Sequence, residues 1–379
     1  MYHQETPLEV RKAGAAMEFG KAVKEFGLNQ SPTFVEATKR MKDMDHGPNH
    51  SEGDPLEHSQ LYVAELNSYI DEHAKDFTPE ETRLLRLGGT LHDIGKAGTQ
   101  KYDVVSGKQN KVVDATPDQI AEAQSLKLKL LSEVSGKSVD EIKALSGGKQ
   151  KDLATQFEAE LQPKLASMSK EFPALAANFR GHDKKSAEMG KDIVKESGVE
   201  LSPEETKLLG YLLANHMDLL DWADLVEADL NDPKKVQGPM KIFETLFVEG
   251  EKGSRAINEK KIKMLLALTF ADNASTYHKS ESDGDREKAF ARIVKVAEAF
   301  RAKTEPVLEK EAQDKKVNDI LVAAFQDQGS LATYLAKEKG LAGKLIGEAA
   351  NKVKEFVRAN LGKDTESLLE EVRQFAQGL

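Results

Sequence analysis

Apolar positions recur with the period of a helix along almost the whole chain. Leu84, Leu85, Leu87 and Leu91 share one face, and Leu208, Leu209, Leu212 and Leu213 share another. Three segments use one helix-start device: Thr78-Pro-Glu-Glu81, Thr116-Pro-Asp-Gln119 and Ser202-Pro-Glu-Glu205. Each offers a hydroxyl to the first free N–H groups, a Pro whose φ is preset for the first turn, and an acid or amide that reaches back. Further helices are predicted over Pro7–Phe26, Thr33–Met44 and Pro55–Ile70. Alternating runs are almost absent. The one candidate is Tyr102–Val113, where two Val-rich pieces flank Ser-Gly-Lys-Gln-Asn; it predicts a short hairpin. The expected fold class is all-α.

The punctuation divides the chain into an N-terminal helical region over 1–50, a helical domain over 51–305, and a helical tail over 306–379. Within the domain, residues 102–177 are polar and rich in Lys and Glu, with Gly147-Gly148 as a break. They read as an insertion that covers a site or sets substrate choice. The tail turns at Gly340 and starts its last helix after Gly362-Lys363-Asp364. No repeat of about 20–50 residues is visible.

The chain has 379 residues, 31% charged and 39% hydrophobic, enough for a sizeable core under a highly charged surface. A net charge of −10 disfavours a broad nucleic-acid-binding face. The absence of cysteine excludes disulfides, thiolate nucleophiles and Cys-bound zinc. No apolar run approaches the ~20 residues needed to span a bilayer, and Met1–Val10 lacks the apolar core of a signal peptide. A soluble cytoplasmic protein is expected, with no membrane partner.

Most of the candidate chemistry sits near predicted helix ends. His92-Asp93 lies in Leu91-His-Asp-Ile-Gly-Lys96, with Gly95 suited to ending a helix. Imidazole and carboxylate together make a mixed N/O site for borderline or hard divalent ions. Lys96 places a cation about one turn away, where a phosphate oxygen can sit. His58 starts one helix, His182 starts another, and His216 ends a third. Asp272 interrupts the apolar run Leu-Ala-Leu-Thr-Phe-Ala, where an ionised carboxylate is costly unless paired or bound to metal. His46 and His50 fall in a loop and read as exposed, without function. His278 reads as solvent-facing, Trp222 as a packing anchor, and Lys344–Lys363 as a mostly solvated face.

The order His58, His92-Asp93, His182, His216, Asp272, with its local wording, resembles the HD superfamily of metal-dependent phosphohydrolases over roughly residues 54–300. Phe179-Arg-Gly-His-Asp-Lys-Lys-Ser-Ala187 is most similar to the HD domain of bacterial tRNA nucleotidyltransferases, and Gly340–Gly347 resembles the turn and helix after that domain. The resemblance implies an HD-domain helical bundle. It implies one divalent ion on His58, His92, Asp93 and Asp272, and a second ion or a phosphate at His182 and His216. Manganese, nickel, cobalt, iron or magnesium are the expected ions.

The implied enzyme is a phosphatase or phosphodiesterase acting on a nucleotide, cyclic nucleotide or RNA end, by water activated on the metal. In it Asp93 bridges the ions or orients that water. Lys96 holds phosphate, assisted by Arg180, Lys184 or Lys185. The chain departs from the nucleotidyltransferases in lacking their head, the Gly-Ser turn followed by paired Asp residues. Nucleotide addition is therefore not expected. Two alternatives stand beside the hydrolase: a di-iron oxygenase of HD type, and a non-catalytic protein that binds a nucleotide or RNA, the RNA through the tail.

Overall fold

The computed structural model describes residues 8–47, 50–105, 115–217, 219, 246–249, 255–276 and 283–379. Trp222, His278 and Lys111–Val113 lie outside these residues. The described residues are mostly helical, and the chain divides into two compact units. No helix among the described residues is long and apolar enough to cross a membrane.

The first unit comprises residues 1–224 and 260–295. Its helices are α1 (Leu8–Glu25), α2 (Pro32–Met41), α3 (Pro55–Glu72), α4 (Pro79–Leu91), α5 (Pro117–Ser135), α6 (Val139–Lys143), α7 (Gly147–Gln156), α8 (Glu158–Met168), α9 (His182–Glu196), α10 (Pro203–Asn215) and α11 (Glu259–Ser275). The last of these enters the unit at Lys260. Residues 1–50, a separate region in the sequence reading, belong to this same unit.

All three predicted capping boxes form. Thr78, Thr116 and Ser202 each accept from the backbone three residues on, and Glu81, Gln119 and Glu205 reach back to the cap. Asp54-Pro-Leu-Glu57 is a fourth, and it fixes the start of α3 and hence the place of His58.

Close helix contacts depend on two glycines. A methyl group on Gly89 of α4 would come within 2.4 Å of Leu66 Cδ2 on α3. A methyl on Gly95 would meet the His182 carbonyl oxygen at 2.3 Å and Ser186 N at 2.5 Å. The role of Gly95 thus differs from the sequence reading. Helix α4 stops at Leu91, and Gly95 lies in the following 3-10 turn, Ile94–Gly98. It does not supply a left-handed end to α4. It lets the first turn of α9 sit against the backbone, where Gly95 N donates to Ser186 Oγ at 2.9 Å.

The second arm of the predicted hairpin lies outside the described residues, and its first arm makes a longer-range pairing. Strand β1 (Lys101–Val104) pairs antiparallel with β2 (Leu175–Asn178), from Lys101↔Asn178 to Val104↔Leu175. The partner Leu-Ala-Ala-Asn carries no β-branched residue, so its strand character comes from the pairing and not from propensity. This ribbon is the neck of the insertion. Beyond it, α5–α8 bury Leu130, Leu131, Ile142, Leu161 and Leu165, so the polar insertion has an apolar core of its own.

The second unit comprises residues 225–259 and 296–379. It includes β3 (Phe247–Glu249) paired antiparallel with β4 (Arg255–Ile257). Its helical part is the later portion of α12 (Asp283–Ala324), then α13 (Leu331–Lys337), α14 (Lys344–Ala359) and α15 (Thr365–Gln377). Val317, Phe325, Leu335, Val353, Val357, Leu368 and Val372 form its core. The turn at Gly340 has φ 65°, and Asp364 caps α15 through Ser367 N, both as the sequence leads one to expect.

Candidate metal centre

Five elements of the first unit bring ionisable side chains to one buried point. His58 lies in the first turns of α3, His92 caps the end of α4, and Asp93 follows it. His182 opens α9, and His216 caps the end of α10. Asp272 comes from the apolar helix α11. Hydrogen bonds hold α11 in place: Tyr62 Oη donates to the Leu268 carbonyl at 3.0 Å, and Lys263 Nζ donates to Glu81 Oε2 at 2.6 Å and to the Asp76 carbonyl at 2.7 Å.

The four imidazoles are oriented alike. Nδ1 of His92 donates to the Gly89 carbonyl at 2.8 Å, that of His182 to Phe179 at 2.9 Å, and that of His216 to Leu213 at 2.8 Å. His58 Nδ1 donates to Glu52 Oε1 at 2.9 Å. A carbonyl or carboxylate on Nδ1 requires the proton there, so each ring turns Nε2 inward as a lone-pair donor. This is how metal-binding histidines are normally fixed, a buried acceptor behind each ring. His92 is also stacked on the buried Tyr62 ring, with centroids 3.6 Å apart.

Asp93 stands between two sets of these nitrogens. Its Oδ2 lies 3.6 Å from His58 Nε2 and 3.4 Å from His92 Nε2. Its Oδ1 lies 3.2 Å from His182 Nε2 and 3.9 Å from His216 Nε2. His58, His92 and Asp93 form one group able to hold an ion, and Asp93, His182 and His216 form another. Asp272 Oδ1 flanks the first at 3.2 Å from His58 Nε2. His182 and His216 face each other Nε2 to Nε2 at 3.2 Å, an arrangement that two lone pairs favour only around a positive charge. Among the described residues, His92 Nε2 is buried without a hydrogen-bond partner. Such an orphan is costly unless a ligand uses it. The donor set therefore fits one or two divalent ions.

The charges agree with the geometry. Burial opposes ionisation of Asp93, yet Lys96 and then His92 outweigh it and hold the carboxyl well below its usual range. Burial likewise works against Asp272, and His58 holds it low. Burial resists protonation of His58, but the Asp272 and Glu52 carboxylates push it up to about 9. His216 is lowered to about 3 by burial, then by His182 and His92.

Lys96 is buried, with Nζ 2.6 Å from Asp93 Oδ2 and 2.7 Å from His46 Nε2. The other sequence-derived phosphate contacts are Lys184, Lys185 and Arg180. Lys184 is exposed on α9, Lys185 pairs with Glu188 at 3.0 Å, and Arg180 is exposed on the wall of a separate cavity.

His46 and His50 overturn the reading of exposed loop residues. His46 is 4% exposed, His50 is half-buried, and neither faces open solvent. Their rings stack with centroids 3.6 Å apart, and between them and His58 lies the fully buried Glu52. Glu52 Oε1 accepts from His50 Nδ1 at 2.6 Å as well as from His58. Those two bonds outweigh its burial and hold its pKa at about 2. His46, His50 and Glu52 are close enough to suggest a third ion site. The stacking argues against it: a metal lies near the plane of each imidazole it binds, and two parallel rings cannot both point at one ion. The loop acts instead as a brace, with Glu52 behind His58 and His46 behind Lys96. Only the density of His and acid in Asp45–Asp54 hinted at it in the sequence.

Neither a protein-family model, a curated protein nor a solved structure matches this chain. The reading of the centre rests on its own geometry.

Proposed function

We propose that this chain is a metal-dependent phosphohydrolase that cleaves a phosphomonoester or phosphodiester of a nucleotide, cyclic nucleotide or RNA end. The observation that supports it is the division of Asp93 between two imidazole pairs, with a buried ammonium beside it. His58, His92, Asp93 and Asp272 would hold one ion, and His182 and His216 a second that shares Asp93. The donors are nitrogen and oxygen without thiolate, a set suited to manganese, iron, cobalt or nickel. Such ions supply a Lewis acid and a water acidic enough to attack phosphorus at neutral pH.

The chain's own residues supply the rest. The four Nδ1 hydrogen bonds fix each ring and aim its Nε2 inward, and an ion there would displace the second proton that His58 otherwise holds. Lys96 is held by His46 and offers its charge to a phosphoryl oxygen, replacing part of its contact with Asp93. Burial strengthens each of these electrostatic contacts over its value in water.

The test is phosphate release or ring opening across a panel of nucleotides and cyclic nucleotides, by protein reconstituted with manganese, cobalt or nickel. Turnover is expected, and Asp93→Ala should abolish it. Full metal loading with no turnover on any substrate would overturn the reading. The shared carboxylate also favours a di-iron oxygenase. Native iron with a ferric–ferrous spectroscopic signal and dioxygen uptake would put that reading first.

A further inference from the structure

A cavity of about 680 Å³ opens in the insertion, walled by β1, α5, α7, α8 and the end of β2. None of its lining residues belongs to the metal centre. Its volume falls in the range of small-molecule sites, roughly 300–1,000 Å³. Its lining is chemically divided. Leu128, Leu131 and Leu161 give it an apolar floor, two of them also part of the insertion's own core. Around this floor stand Lys101, Lys127, Lys151 and Arg180, against only two acids, Asp103 and Glu158.

The two acids are already used. Lys127 Nζ lies 2.5 Å from Asp103 Oδ1, and Lys101 Nζ lies 2.7 Å from Glu158 Oε1. These pairs fix two ammonium groups at the wall and cancel their charge. Lys151 and Arg180 remain as a local positive excess in a chain whose net charge is −10. Amide side chains complete the wall, among them Gln124, Gln150 and Asn178. An amide presents a donor and an acceptor side by side, the pattern that reads the edge of a nucleobase.

We propose that this cavity is a binding site for a nucleoside phosphate: base on the leucine floor, base edge on the amides, phosphates on Lys151 and Arg180. A sugar phosphate would leave the leucines uncovered, and a fatty acid would leave the amides and the second cation unmatched. The proposal stands independently of the hydrolase reading, because binding here requires no metal. It gives the insertion a ligand of its own, beyond the expectation that it covers a site or sets substrate choice.

The test is calorimetric titration of the full chain in EDTA with ATP, GTP, tripolyphosphate and adenosine. At least one nucleotide should bind, and tripolyphosphate and adenosine should each bind it at least roughly tenfold more weakly, since each engages half the site. Lys151→Glu, an exposed change, should weaken nucleotide binding roughly tenfold. Thr155→Trp should block the cavity, and near-UV circular dichroism shows whether that variant is folded; if it is not, Arg180→Glu takes its place with the same expected loss. Asp93→Ala should bind as the parent does. Absence of saturation by either nucleotide at millimolar concentration overturns the site. So does binding that ignores Lys151→Glu, or that Asp93→Ala removes.

Discussion

The metal centre and the insertion solve opposite problems with the same residue types. At the centre, charges are taken out of water and each must be matched atom for atom. Glu52, His58, Asp93, Lys96 and His92 are all buried, and their partners are both near neighbours, as Lys96 is to Asp93, and distant ones, as Asp272 is to His58 and His46 to Lys96. In the insertion, Lys127–Asp103 and Lys101–Glu158 sit part-exposed on a cavity wall, where water shares the work. Buried ionic sites fail sharply when one partner is removed, whereas exposed pairs contribute little. The comparison teaches where single changes should be severe and where they should be mild.

The largest effect is expected at Asp93. Asp93→Ala removes the carboxylate shared by both groups, so metal content by elemental analysis should fall close to zero for both ions at once. Retention of one full equivalent would show that the two groups do not share Asp93. Next is Glu52→Ala, which leaves His58 without its brace. Loss of such a partner behind a metal-binding histidine typically lowers metal affinity about 10–100-fold. Glu52→Gln, whose carbonyl still accepts from Nδ1, should recover most of it; equal loss in both variants would show that the charge of Glu52, and not its acceptor alone, holds His58.

A third expectation concerns pH. His58 is raised from 6.5 to about 9 by its carboxylates. A raised folded-state pKa adds stability that is complete below the unfolded value and disappears as pH climbs through the folded one. The metal-chelated protein should therefore lose thermal stability between about pH 6.5 and 9, on the order of 2 kcal/mol. On the acid side, His216 and His50 are buried neutral, at about 3 and about 4, and their contribution is lost as pH falls below 6.5. A midpoint that is flat from pH 6.5 to 9 would remove the His58–Asp272 pair from the account. The smallest effect belongs to the insertion. Ser138→Ala deletes the cap of α6, worth about 1 kcal/mol, and should leave metal content unchanged.

The sequence made the helix starts legible because a cap is a local device: Thr78, Thr116 and Ser202 each act within four residues. It placed His92, His182 and His216 at helix ends for the same reason. It missed Glu52, His46 and His50 because nothing periodic marks a loop that folds over a distant helix end. Gly95 misled because a glycine chosen for close approach and one chosen for positive φ are the same letter. The partner of β1 was illegible because Leu175–Asn178 carries no strand propensity.

The position of Asp93 has a thermodynamic consequence for how the centre fills. Two ions held as proposed through one carboxylate would be linked sites, and linkage is reciprocal: whatever factor the first ion imposes on the affinity of the second, the second imposes on the first. Their affinities therefore cannot be tuned separately at this residue. Any change there that loosens one ion is felt by the other, and loading should follow one coupled binding curve and not two independent ones.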